Sequence, residues 1–418
     1  MSQTRRQFLQ SALGTSTLLS LAPGIPLFLE RTARAGAAKR TDGDTVLVMI
    51  ELSGGNDGLN TLVPYTDDAY ARSRPTIRLP ENRLHKIGSD FGFHPQMQAF
   101  HRLYQEGHMS VVQGVGYPNT NGNHFEAMRD WHTAHPADTT CQTGWAGRAI
   151  DHAYSAERGN VIGLSVGPGS RPLALNAEKV PVLSLRSLDQ WKLQPPAGDK
   201  GDAYRKQLEQ LAEVPRSGDN TLLDYVRRTC SGAYADSRKV EAVAAEASGA
   251  NYPPFQFAER LRAIAQLVRA DCGVRIYFVE LGGDGFGGFD NHANQIGNHD
   301  ALLEQLSESL AAFVADLSRH NLLDRVLVST FSEFGRTVKE NGRRGTDHGA
   351  AAPMFLVGGR LKGGLVGERP NLTDLQNGGL KFHTDFRRVY ATLLDRWLGF
   401  DSELALGQRF EPLDLLEG

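Results

Sequence analysis

The sequence predicts an α/β fold: an open sheet of short buried strands, with a helical segment inserted over about residues 202–270. Three observations carry this. First, runs 45–52 (TVLVMIEL), 274–281 (VRIYFVEL) and 325–331 (RVLVSTF) are short, apolar and rich in β-branched residues, the pattern of buried strands. Second, each run passes at once into a polar, glycine-bearing loop. Third, residues 274–331 read strand, loop, helix, strand, which is a right-handed crossover if the two strands are parallel.

In chain order, targeting comes first. Residues 4–10 (TRRQFLQ) fit a twin-arginine export signal, followed by a moderately apolar run and an A-x-A cleavage site at Ala33-Arg34-Ala35. Residues 1–35 are therefore read as a signal peptide and 36–418 as the folded domain, periplasmic or at the cell surface. No later run is long and apolar enough to span a bilayer. A formal net charge of -3 and the lack of a basic stripe argue against nucleic-acid binding. Three cysteines, Cys141, Cys230 and Cys272, are too few for a disulfide framework, and Cys272 reads as a small core residue.

Run 45–52 is apolar almost throughout, as for a central strand covered on both faces. It ends in the loop 53–60 (SGGNDGLN), where Asp57 is either a turn residue or a ligand. Residues 69–93 show little pattern and read as a surface excursion; 94–105 read as helix and 109–115 as strand. Next comes a polar loop with Thr120 and then Asn123, a natural N-cap for the helix that opens with His124. For His124 two readings stand: a residue reaching the site, or part of an ordinary capped helix start. Arg148 opens a further helix and can hold an anion or a carboxylate. Residues 160–166 and 181–185 are further possible strands, and 202–268 read as largely helical. After strand 274–281, a glycine-rich loop delivers Asp290 and His292; 298–320 form an amphipathic helix; strand 325–331 then leads to Glu333, Arg336, Asp347 and His348. Run 353–357 is one more strand, and Asp385 caps a final helix over 386–398.

Ligand groups in open α/β sheets gather beyond the carboxyl ends of the strands. Asp290, His292, Glu333, Asp347 and His348 are thus expected to share one site. Carboxylate and imidazole are the donors that hold zinc, manganese, calcium or similar divalent ions. One such ion, or two held about 3.5–4 Å apart, can serve a phosphoryl or sulfuryl displacement. Arg148 and Arg336 would grip the remaining anion oxygens.

The segments ELSGGNDGLNTLVPY (51–65), NHFEAMRDWHT (123–133), GWAGR (144–148), FDNHANQ (289–295), SEFGRT (332–337), GTDHG (345–349) and FHTDFRRVYATLLDRWLG (382–399) carry a resemblance. The chain resembles domain-of-unknown-function family 1501, which is itself similar to the alkaline phosphatase and sulfatase superfamily. The resemblance implies a doubly wound, mostly parallel sheet of alkaline-phosphatase-like type and a hydrolytic centre with one or two metals. It would make Asp57, Asp290, His292, Glu333 and His348 metal ligands, with Asp347 a ligand or its support. Phe334 follows Glu333 where the superfamily usually has a histidine. Asn123 stands where many relatives carry a serine, the place of the superfamily's nucleophile. An amide cannot attack phosphorus or sulfur usefully. Thr120 is the nearest hydroxyl; otherwise water attacks, or the protein binds without turnover. The expected function is metal-dependent hydrolysis of an anionic small-molecule or glycan ester of phosphate or sulfate. The rival is a non-catalytic binding or assembly protein with an exported protein partner.

Overall fold

The computed structural model describes residues 45–153, 162–169, 171–180, 182–187, 206, 235, 237–246, 249–282 and 288–417. The expected signal peptide, Cys230 and most of the expected helical insertion lie outside them.

The main sheet is built on β1 (Val46–Leu52), β2 (Met109–Gly116), β3 (Ile162–Val166), β4 (Leu183–Leu185), β5 (Val274–Leu281), β6 (Val326–Phe331), β7 (Ala352–Gly358), β8 (Gly364–Val366) and β9 (Thr384–Asp385). Across the sheet the order is β8-β2-β7-β6-β1-β5-β3-β4, with β9 also beside β2. Among the described strands only β7 runs against the rest, pairing antiparallel with β6 and β2. β5 and β6 flank β1, both parallel to it, so the segment joining them crosses over β1.

Helices cover both faces. Val46, Val48, Ile50 and Leu52 of β1 enter one apolar core with α2 (Gln98–Gln105), α5 (Gln256–Ala270) and α6 (Gln295–Arg319). Leu47 and Met49 enter the other, with α3 (His124–Thr133), α4 (Trp145–Ala153) and α7 (Phe386–Ala391). A strand buried on both faces has no use for alternating polar residues, hence its continuous apolar run. α7 continues as a π-helical turn, Thr392–Leu398, within the expected final helix, and Asp385 caps it by accepting from Arg387 N. α5 lay inside the expected insertion; it instead packs on β5 and α6 as part of a flanking layer.

Residues 69–93 are not a surface excursion. They include α1 (Asp68–Ser73) and two strands, His85–Ile87 and Phe91–Phe93, of a small sheet with Leu62–Val63. Tyr70, Ile77, Leu79 and Phe93 are buried, and so is Arg74, at 0% exposure. Its guanidinium bonds Asp57 Oδ2 at 2.6 Å, Asn60 Oδ1 at 2.7 Å and the carbonyls of Thr337 and Val338. A fully desolvated arginine needs all of these acceptors. Such an ion pair leaves no periodic trace in sequence.

Burial alone would raise the Asp57 carboxyl, but the adjacent Arg74 outweighs it and holds it below the ordinary 3.8. A depressed carboxylate stabilises the fold above its unfolded value, and that contribution is lost as pH falls from 3.8 through the lower folded value. Arg74→Ala strands a buried carboxylate and is expected to cost about 3–5 kcal/mol in urea unfolding at pH 7. The gap between wild type and variant should narrow at pH 3; an equal gap at both pH values would contradict the pairing.

Candidate metal centre

The site lies where three loops leave adjacent strands: 53–57 after β1, 288–292 after β5 and 332–336 after β6. Gly54 lets them meet. Its φ of +111° is one that side chains avoid, and a Cβ there would stand 2.5 Å from Asp290 N. Its N–H donates to Glu333 Oε1 at 2.9 Å.

Three imidazoles converge on one carboxylate oxygen. From Asp290 Oδ1, the Nε2 atoms of His292, His348 and His124 lie at 2.9, 3.3 and 3.5 Å. His348 Nε2 lies 3.0 Å from that of His124 and 2.9 Å from that of His292. The outer nitrogens all face acceptors. His124 Nδ1 meets Glu333 Oε1 at 2.8 Å, His292 Nδ1 meets Asp347 Oδ1 at 3.2 Å, and His348 Nδ1 meets the Gly122 carbonyl at 2.6 Å. A carbonyl or carboxylate there accepts, so a proton on each Nδ1 satisfies it and leaves Nε2 free for an ion. In the neutral rings three Nε2 lone pairs then point at one another and at a carboxylate, an arrangement that calls for a cation between them. Zinc bonded tetrahedrally at about 2.0–2.1 Å sets its donors about 3.3–3.4 Å apart, close to the 3.0–3.5 Å found among His124, His348 and Asp290. His124, Asp290 and His348 alone place their donor atoms within 4.8 Å of one another. The residues present therefore fit a divalent ion.

Their surroundings fix these groups. The hydrogen bond to Glu333 holds His124 above the usual imidazole value. Burial pushes His348 below it. Burial would raise Asp290, but Arg336 holds it low. The hydrogen bond from Asn341, more than the one from His292, keeps Asp347 low. Phe334 lies under the rings, 4.8 Å from His124 and 4.7 Å from His348 between centroids.

Several expected roles do not match this placement. Glu333 and Asp347 lie behind imidazoles as hydrogen-bond acceptors. Asp57 contacts none of the histidines of the centre; Arg74 and Gln295 occupy its Oδ2. Arg336 is 2% exposed and knits the loops together, donating to the carbonyls of Gly54, Gly55, Thr346 and Phe289 as well as to Asp290. Arg148 donates to the carbonyls of Thr133, Thr143 and Ala405 on the α4 side. Arg336 spends its fork on carbonyls and Asp290, and Arg148 spends its own on carbonyls away from the site, so neither is turned to a ligand anion. Asn123 is the N-cap of α3, accepting from Glu126 N at 3.2 Å. Thr120 is nearly buried and lines a hollow of about 270 Å³ beside His292 and His348. His124, expected among the reacting groups, instead turns its Nε2 inward with the other histidines. The Gly122 carbonyl and Phe334 as a floor were not foreseen; no side-chain pattern signals a carbonyl acceptor.

The profile of one family matches residues 44–403. The chain belongs to that family, described as protein of unknown function (DUF1501). None of the curated proteins matches it. Among solved structures, it is similar to a protein in the alkaline phosphatase superfamily from Vibrio parahaemolyticus, with 9% identity and a TM-score of 0.38 over 91% of this chain and 77% of that one. It is also similar to the PsFucS1 sulfatase from Pseudoalteromonas sp., with 11% identity and a TM-score of 0.36 over 97% and 74%. A third is the periplasmic domain of EcEptC from Escherichia coli in complex with zinc, with 9% identity and a TM-score of 0.34 over 77% and 76%.

The cap gives a direct test of the Asn123 assignment. Asn123→Ala should lower unfolding stability by about 1 kcal/mol. Asn123→Ser or Asn123→Asp should restore it, since both side chains cap well. A loss of stability that these two variants fail to recover would rule capping out as the residue's role.

Proposed function

We propose that this DUF1501 member is a metal-dependent hydrolase of phosphate or sulfate esters, exported to the periplasm or cell surface. One divalent ion would be held by His124, His348 and Asp290, with His292 beside it against His348 and Asp290. The observation that supports the ion is the inward convergence of three Nε2 atoms whose Nδ1 partners are all acceptors. The ester reading rests on the resemblance of the motifs. When bound, zinc or a similar ion polarises a substrate oxygen and lowers the pKa of water.

The chain's own residues then have separate tasks. Glu333, Asp347 and the Gly122 carbonyl keep each ring in the tautomer that offers Nε2. Arg336 fixes Asp290 and the three loops. Around the hollow beside the histidines, Asn121, Gln376 and Asn377 supply amides, groups able to hold ester oxygens. With Asn123 serving as a cap, water is the attacking group in this reading. The twin-arginine start fits export of a chain folded and loaded with its ion beforehand. Among the described residues, no helix is long and apolar enough to cross a membrane.

Elemental analysis of the folded, processed protein should find about one zinc, manganese, calcium or iron per chain, lost in His348→Ala. Glu333→Gln, which keeps the shape but weakens the hold on His124, should lower metal affinity about 10–100-fold. No bound ion, and no thermal stabilisation on adding any of these ions, would sink the reading. With the ion identified, p-nitrophenyl phosphate and p-nitrophenyl sulfate should be turned over by wild type and not by a folded Asp290→Ala variant. Bound metal without turnover of any ester would instead favour a binding protein.

A further inference from the structure

A second polar cavity, of about 590 Å³, opens at the carboxyl ends of β1, β5 and β3. Glu51, His132, Ser165 and Phe278 line it. Strand alternation puts three of them on one face. Glu51 continues the row of Leu47 and Met49, Phe278 that of Ile276, while Leu164 and Val166 on either side of Ser165 face the opposite core. His132 comes from the last turn of α3, eight residues after His124, so about 12 Å along the helix from the metal centre.

Glu51 and His132 are 6% and 8% exposed. His132 Nε2 donates to Glu51 Oε2 at 2.8 Å. The imidazole stands edge-on to Phe278 and Phe331, with centroids 5.8 and 5.9 Å away. Among the described residues, no other hydrogen bond to the Glu51 carboxylate is found. A buried carboxylate is costly unless it is paired. Glu51 has an imidazole on one oxygen, and it lines a cavity large enough for a small molecule, whose wall also carries Arg260, with one donor on the Glu280 carbonyl.

We propose that this cavity is a second ligand site, separate from the histidine centre, for a small molecule bearing a protonated primary amine. The ammonium would sit against the Glu51 carboxylate, with the Phe278 ring beside it as a cation–π partner. The Ser165 hydroxyl would take a further polar group of the ligand. Glu51 and His132 belong to no part of the proposed hydrolytic machinery.

The test is isothermal titration of the full folded protein with two matched pairs at equal ionic strength: glucosamine against glucose, and cadaverine against pentane-1,5-diol. The amine of at least one pair should bind at least about tenfold tighter than its uncharged partner, as for a hydrogen bond to a charged group. Glu51→Gln, which keeps an acceptor for His132, should abolish that preference and leave metal content unchanged. If Glu51→Gln does not fold, Phe278→Leu takes its place and should weaken amine binding several-fold. Amines that bind no better than alcohols, or a preference that survives the substitution, would overturn the proposal. Tighter binding of glucose and the diol would point to a polyol site instead.

Discussion

The Glu333 carboxylate is the point on which the rest of the centre depends. It is buried, and it accepts from Gly54 N, from Ser332 Oγ and from His124 Nδ1. Those three contacts tie the end of β1, the end of β6 and the start of α3 together. A carboxylate taken out of water needs this many donors. In supplying them, the fold fixes the distance between the strand ends and the tautomer of one imidazole at once. Stability and the geometry of the centre share one group here.

Arg336 repeats the principle with opposite charge. Its donors run to four backbone carbonyls and to Asp290, so the loops after β1, β5 and β6 close around a guanidinium. An arginine at the end of a strand reads from sequence as a hand for an anion. In the folded chain it is a rivet, because loops that turn inward leave carbonyls that must be satisfied. Asp57 and Arg74 do the same one layer further in. Helix α3, by contrast, carries an imidazole at each end, His124 at the histidine centre and His132 at a second cavity.

The strands were legible because β1, β5 and β6 are buried on both faces and must be apolar throughout. The loops at their ends were legible too, since a buried strand that stops abruptly at glycine and acid is leaving the core for a polar crevice. Asp290, His292 and His348 emerged from that logic, and the structure brings them to one point. Asp57 stood in the same kind of position and yet pairs with Arg74, a residue 17 positions on in a segment with no periodic pattern. Asp347 and Glu333 were visible as acids near the site, but an acid beside an imidazole and an acid on an ion have the same sequence signature.

The sequence by itself determined the sheet's central strands, the loops that bear the clustered histidines and acids, and the residue types gathered there. These follow from local pattern: periodicity, turn formers and the abrupt change from apolar to polar. Only the tertiary structure decided which nitrogen of each histidine faces inward, which carboxylates stand in front and which behind, and which arginines are already taken. Those outcomes depend on hydrogen-bond partners scores of residues away, such as Gly122 for His348 and Gly54 for Glu333. Many are backbone atoms, which carry no side-chain signature at all.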